Sequence, residues 1–172
     1  MNLAPLSPAE YNSYYQPYLD AIDNDMVIVE GLQQNLELVF SVFSNIPEEK
    51  HNYAYAKGKW SIKDVLLHII DTERVFAYRA LRIARCDKTS LAGFEQDDYV
   101  VSANAENRSM DSLLSEYRAV RQATMVLFSS FDNETLILIG EASGFPVSVR
   151  AIGYIIAGHE KHHLKIIKER YL

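Results

Sequence analysis

The sequence predicts an all-α protein of four long helices packed as a bundle. Helix breakers are scarce, with five prolines and seven glycines in 172 residues. Those breakers fall mostly between long stretches rather than inside them. Within the stretches, apolar residues recur at steps of three, four or seven, which places them on one helical face. No strand is expected. The length suits a single domain spanning residues 1–172, enough chain to bury a core without crosslinks.

The first helix is predicted over residues 18–45, after Pro17, with Ile22, Met26, Val29, Leu36, Phe40 and Phe43 as its stripe. It should stop at Asn45-Ile46-Pro47, because proline disfavours helical geometry in the residue before it. The second is predicted over 61–86. Ser61 is the N-cap, Asp64 closes a variant capping box, and Ile62, Leu66, Ile69, Phe76, Ala80 and Ile83 form the stripe. Residues 86–108 show no sustained periodicity and read as a long functional loop. About twenty residues can retrace the ~38 Å of a 25-residue helix, so the third helix can run parallel to the second. That third helix is predicted over 109–131, capped by Ser109 or Asp111. Gly140 to Pro146 reads as a turn-rich connection, and the fourth helix covers 147–171. Gly153 and Gly158 weaken it slightly but admit a neighbouring backbone or ligand.

A formal charge of −6 and a pI near 5.3 argue against nucleic acid as a partner, since phosphate binding needs surplus Lys and Arg. The lone Cys86 excludes an intramolecular disulfide and a CxxC site. No basic-then-apolar leader opens the chain, and no window approaches the ~18 apolar residues of a membrane span. The expectation is a protein of the reducing cytoplasm with no membrane partner.

Chemistry concentrates near the C-terminus, in Gly158-His159-Glu160-Lys161-His162-His163. Residues i and i+4 share a helix face, so His159 and His163 can offer two imidazoles to one ion. Both lie on the stripe Ile152, Ile156, His159, His163, Ile166, where two unsatisfied imidazoles would be costly. The alternative is a pair of hydrogen-bonded core histidines. His162 is rotated off the stripe, and His51 has no partner nearby in sequence. The string also satisfies H-E-x-x-H, in which the glutamate, here Glu160, serves as general base in zinc peptidases. Only nine residues follow His163, so a third ligand must come from upstream. His68, amid Leu66, Leu67, Ile69 and Ile70, is the candidate. Three neutral nitrogen donors with open positions are the pattern of catalytic metal sites. Glu73 falls on the second helix's apolar stripe, where it either pairs with a buried arginine or orients a ligand histidine. Glu160 and Glu73 are the candidate catalytic carboxylates. Asp71 is a weaker outer-sphere candidate, Asp97 and Asp98 read as solvated loop residues, and Tyr99 or Tyr154 could line a pocket.

These residues resemble the DinB-like superfamily, also called the YfiT-like metal-dependent hydrolases. The carriers are Trp60-Ser61 opening the helix of His68, the segment His68-Ile69-Ile70-Asp71-Thr72-Glu73-Arg74, the loop Phe94-Glu95-Gln96-Asp97-Asp98-Tyr99, and the closing Gly158 to His163. The resemblance implies an up-down-down-up four-helix bundle with a long crossover between helices two and three, usually a homodimer. It implies nickel or zinc on His68, His159 and His163. Activity on a small molecule follows from it, with thiol S-transfer (bacillithiol, mycothiol or glutathione type) onto an electrophile as the leaning. A metal-dependent hydrolase is the alternative, and a non-catalytic metal-dependent binding or stress-response protein is another.

Overall fold

The structure is a computed structural model that describes residues 5–23 and 25–172. Among the described residues seven α-helices follow one another: α1 Gln16–Leu19, α2 Ile28–Ser44, α3 Ile62–Ala84, α4 Gln96–Ala103, α5 Met110–Ser129, α6 Asn133–Leu136 and α7 Val149–Ile166. The four long ones, α2, α3, α5 and α7, form the bundle. Helices α3 and α2 each pack against both α5 and α7, so α2 and α3 lie across a diagonal.

Side-chain contacts give the direction of each helix. Lys63 Nζ donates to the Glu106 carbonyl at 3.2 Å, and further along both helices Arg74 pairs with Glu116. Helix α5 therefore runs parallel to α3, as the long connection allows. Asn35 Nδ2 donates to the Ala157 carbonyl at 3.0 Å, while Ile28 faces Gly153, so α2 and α7 are also parallel. Tyr171 Oη donates to the Trp60 carbonyl at 2.8 Å, whereas His159 meets His68. That makes α7 antiparallel to α3, and the order is up-down-down-up.

The capping box expected for α3 is present. Ser61 Oγ accepts from the Asp64 amide at 3.2 Å, and Asp64 Oδ2 accepts from the Ser61 amide at 2.9 Å. It satisfies donors at the helix start that have no intrahelical acceptor. Ser109 caps α5 and Ser148 caps α7 in the same way.

Three departures from the sequence expectation shape the site. The first helix does not run from residue 18. Helix α1 is one turn, and α2 begins at Ile28. The intervening Asp20-Ala21-Ile22-Asp23 is rich in side chains that compete with the helical backbone, while Ile22 and Met26 still pack on the core from irregular chain. The 86–108 segment holds α4 and a 3-10 turn at Ala105–Asn107. Helix α4 buries none of its residues, so it has no apolar stripe to reveal it. Thirdly, the chain does contain strands. Ile139–Ala142 (β1) and Phe145–Ser148 (β2) form an antiparallel hairpin around Ser143-Gly144, both with positive φ (55° and 79°). Such a turn matches the twist of a hairpin. Leu91 extends it, donating to the Glu141 carbonyl at 3.0 Å and accepting from the Ser143 amide at 2.9 Å. The crossover and the hairpin are thereby tied beside α3. No helix among the described residues is long and apolar enough to cross a membrane.

Candidate metal centre

The antiparallel crossing of α3 and α7 sets His68 opposite His159 and His163. The Nε2 atoms of His68 and His163 each lie 3.0 Å from His159 Nε2. One ligand atom from each of the three falls within 4.8 Å of the other two. His68 and His159 are buried and His163 is half-buried. Trp60, just before the α3 cap, packs on His68 with ring centroids 4.7 Å apart and stacks on His163 at 6.3 Å. Tyr18 of α1 meets His159 edge-on at 5.2 Å. That approach needs Gly158, because a Cβ there would sit 2.0 Å from the Tyr18 carbonyl oxygen.

Burial pulls His68 down to about 4, with Asp97 pushing weakly the other way. Burial also pulls His163 down to about 3, helped by His68 and His162. His159 lies well below its ordinary value, from burial first and then from His163, His68 and His162. All three are neutral at pH 7. A neutral imidazole Nε2 offers one in-plane function, either a hydrogen or a lone pair. His159 Nε2 therefore cannot satisfy both neighbours by hydrogen bonding alone. A cation accepting one lone pair from each resolves that conflict. Two nitrogens each about 2.0–2.1 Å from one ion are roughly 3 Å apart at ordinary coordination angles, which the 3.0 Å separations match. With Nε2 of His68 as donor, its Nδ1 carries the proton and faces Thr72 Oγ1 at 3.4 Å. The three histidines thus fit a divalent ion.

The other sequence candidates fall elsewhere. His162 lies outside the cluster and packs on Tyr18 at 5.2 Å. The His51 ring bonds the Ile46 carbonyl at 3.0 Å, apart from the triad. Glu160 and Glu73 are both fully engaged in the core. Arg121, with no exposed surface, donates through Nε and Nη2 to Glu73 at 2.9 and 2.8 Å. Its Nη1 and Nη2 donate to Glu160 at 3.1 and 2.9 Å, and Nη1 also reaches the Leu32 carbonyl at 2.9 Å. Tyr117 Oη donates to Glu160 Oε1 at 2.6 Å. Burial raises the Glu160 carboxyl, against the opposing pull of Arg121. Asp71 pairs with Arg74 at 3.6 Å, and burial raises its carboxyl. Asp98 lies in the first turn of α4, exposed as expected. Tyr99 packs on Phe94 at 5.0 Å and, as expected, lines a small pocket, which it shares with His68 and Asp71, while Tyr154 sits near Arg150.

A cavity of about 260 Å³ opens beside the triad, with His68 and His159 in its wall. Tyr14, Tyr15, Tyr18, Phe76, Phe94 and Asp97 supply much of the rest, together with Arg79 and Ser143. Sequence reasoning missed the tyrosines of the N-terminal segment, Arg79 and Ser143. The cluster Ser13-Tyr14-Tyr15-Gln16-Pro17-Tyr18 was the available signal, but no periodicity ties it to the distant histidines.

Residues 32–167 match the DinB superfamily. A protein of Oceanobacillus iheyensis, provisionally named a metal-dependent hydrolase, is 23% identical over 128 residues, covering 73% of this chain and 72% of its own. The solved structure of YfiT from Bacillus subtilis, described as a probable metal-dependent hydrolase with an unusual four-helix bundle topology, superposes with a TM-score of 0.71 at 10% identity. That match covers 98% of this chain and 92% of the other.

Proposed function

Because the chain belongs to the DinB superfamily, we propose that it is a metal-dependent enzyme whose ion is held by His68, His159 and His163. The observation that carries this reading is the convergence of three neutral imidazoles, two of which, His68 and His159, lie in the wall of a cavity of about 260 Å³. A purely structural ion needs no such opening, whereas a small-molecule substrate does. Three nitrogen donors suit nickel or zinc. When bound, the ion supplies Lewis acidity that lowers the pKa of a thiol or water. The residues around it hold and orient. Trp60 and Tyr18 fix the imidazole planes, and Thr72 Oγ1 accepts a hydrogen bond from His68 Nδ1–H when Nε2 is the metal donor.

The reaction class turns on a general base. Glu160 cannot play that part while Arg121 and Tyr117 occupy both of its oxygens, and Glu73 is bonded through both oxygens to Arg121. That favours transfer onto an electrophile of a small thiol such as bacillithiol or glutathione, which a bound ion would help to ionise near neutral pH without a carboxylate. Hydrolysis is the second reading. Asp97 in the cavity wall supports it as an available base, as do the names given to the two similar proteins.

Metal analysis after nickel or zinc loading tests the first step, with one ion per chain expected. His68→Ala, His159→Ala and His163→Ala should each lose it, while His51→Ala and His162→Ala keep it. Undiminished binding by His68→Ala refutes the three-histidine site. A screen of thiols against electrophiles, run beside an ester and amide panel, then separates transfer from hydrolysis. Turnover in neither favours a non-catalytic metal-dependent binding protein.

A further inference from the structure

Arg79 is 3% exposed, yet no carboxylate among the described residues pairs with it. Its guanidinium meets neutral groups only. Nη2 donates to the Ala92 carbonyl at 2.8 Å and to Ser143 Oγ at 3.0 Å, and the Tyr15 hydroxyl bonds it as well. The Phe76 and Phe94 rings lie 5.1 and 5.8 Å from its central carbon. The other two deeply buried arginines are handled differently, Arg121 by Glu73 and Glu160, and Arg150 by Glu10. A guanidinium cannot shed its proton in a protein, so a buried one without a counter-charge is unfavourable unless something else compensates it.

Position supplies what compensates it. Arg79 follows His68 by eleven residues, three helical turns, so both project from the same face of α3 about 16 Å apart along its axis. Arg79 lines the cavity that His68 and His159 also line. It lines a second cavity of about 260 Å³ as well, between the N-terminal tyrosines and the β-hairpin. Tyr14, Tyr15 and Phe76 are common to both cavities. Asp97 and Glu95 line this cavity as well, Asp97 acting on His68, and neither carboxylate pairs with Arg79.

We propose that Arg79 binds the carboxylate of an elongated organic acid whose flat apolar body lies against the tyrosine and phenylalanine rings. This rests on the proposed metal-dependent reading, naming the substrate class of the same site. With Nη2 taken by the Ala92 carbonyl and Ser143, a carboxylate is left to bond through Nη1 or Nε, a charge-assisted contact that the desolvated setting strengthens. Tyr15, Ser143 and the Ala92 carbonyl hold the fork in place. The acid end is thereby placed at Arg79, leaving the other end of the molecule toward the histidines.

The test uses metal-free protein, in which a carboxylate has no ion to coordinate. Calorimetric binding of 4-phenylbutyrate and 2-naphthoate is compared with that of their neutral amides. The acids should bind the wild type roughly tenfold to a hundredfold more tightly than the amides, as for a hydrogen bond to a charged group. Arg79→Gln should erase that preference and Arg79→Lys should keep part of it. Equal binding of acid and amide by the wild type, no binding of either acid, or an undiminished preference in Arg79→Gln overturns the proposal. If Arg79→Gln does not fold by circular dichroism, the wild-type acid-to-amide ratio and the Arg79→Lys variant decide the matter. Metal content is measured separately on the same preparations. A wild type that binds no metal refutes the three-histidine centre and leaves the carboxylate result standing, and the converse also holds.

Discussion

Replacing Arg121 with methionine removes the cation that pairs with two buried carboxylates, those of Glu73 and Glu160. Four hydrogen bonds to those carboxylates are lost together with one to the Leu32 carbonyl. Breaking a buried ion pair from one side costs about 3–5 kcal/mol. A second route gives a similar figure. A stranded glutamate can take up a proton, which at pH 7 lies two and a half units above its ordinary value of 4.5. Protonating one of the two, so that the neighbouring carboxyls share a proton, costs about 3.4 kcal/mol. Arg121→Met should therefore unfold with a stability deficit of about 3–5 kcal/mol at pH 7. The thermal midpoint should fall by on the order of 10 °C for a chain of this length. The deficit should shrink markedly at pH 5, where protonating each stranded carboxyl costs about 0.7 kcal/mol. Urea denaturation of metal-free wild type and variant at both pH values measures it. A deficit below about 1 kcal/mol at pH 7, or one unchanged at pH 5, refutes the assignment of Glu73 and Glu160 to a structural ion cluster.

The metal-free protein should lose stability in acid through its histidines. Their folded values lie below the ordinary 6.5, at about 4 for His68 and about 3 for His163, so unfolding takes up protons. The contribution is present above pH 6.5 and is lost as the pH falls toward those folded values, by at most about 1.4 kcal/mol per pH unit for each histidine. Thermal melts in chelator should show it, and an equally steep loss in a His68→Ala/His163→Ala double variant would contradict it. Gly158→Ala sets a methyl against the Tyr18 backbone and should cost about 1–3 kcal/mol. Limited proteolysis should then cut the segment around α1 more readily, and unchanged protection would refute the close approach. Tyr117→Phe removes a 2.6 Å bond to the buried Glu160 carboxylate and should cost about 1.5–3 kcal/mol, read by urea denaturation. The homodimer implied by the family resemblance should give a light-scattering mass near twice 19.6 kDa at micromolar concentration. A mass of one chain would refute it.

By itself the sequence determined the helical class and three of the four long helices to within a few residues, and it allowed the parallel course of α3 and α5. Apolar period, the Ser61–Asp64 cap and loop length are local or additive properties of the chain, so they can be read without coordinates. It also determined that His159 and His163 share a helix face, because helical spacing alone requires it. Pairing His68 with them drew on the order of motifs along the chain. Tertiary structure decided what depends on neighbours distant in sequence. Arg121 lies 48 residues from Glu73 and 39 from Glu160, and only their meeting in the core makes Glu160 an anchor instead of a base. The same holds for the break before α2, where Gly158 lets Tyr18 dock against α7. Helix α4 escaped notice because it buries nothing, and the β-hairpin because its strands are only four residues each. The walls of the cavity come from α1, α3, α7, the crossover and the hairpin turn. No period or spacing links those segments, so only the folded chain assembles the space around the histidines.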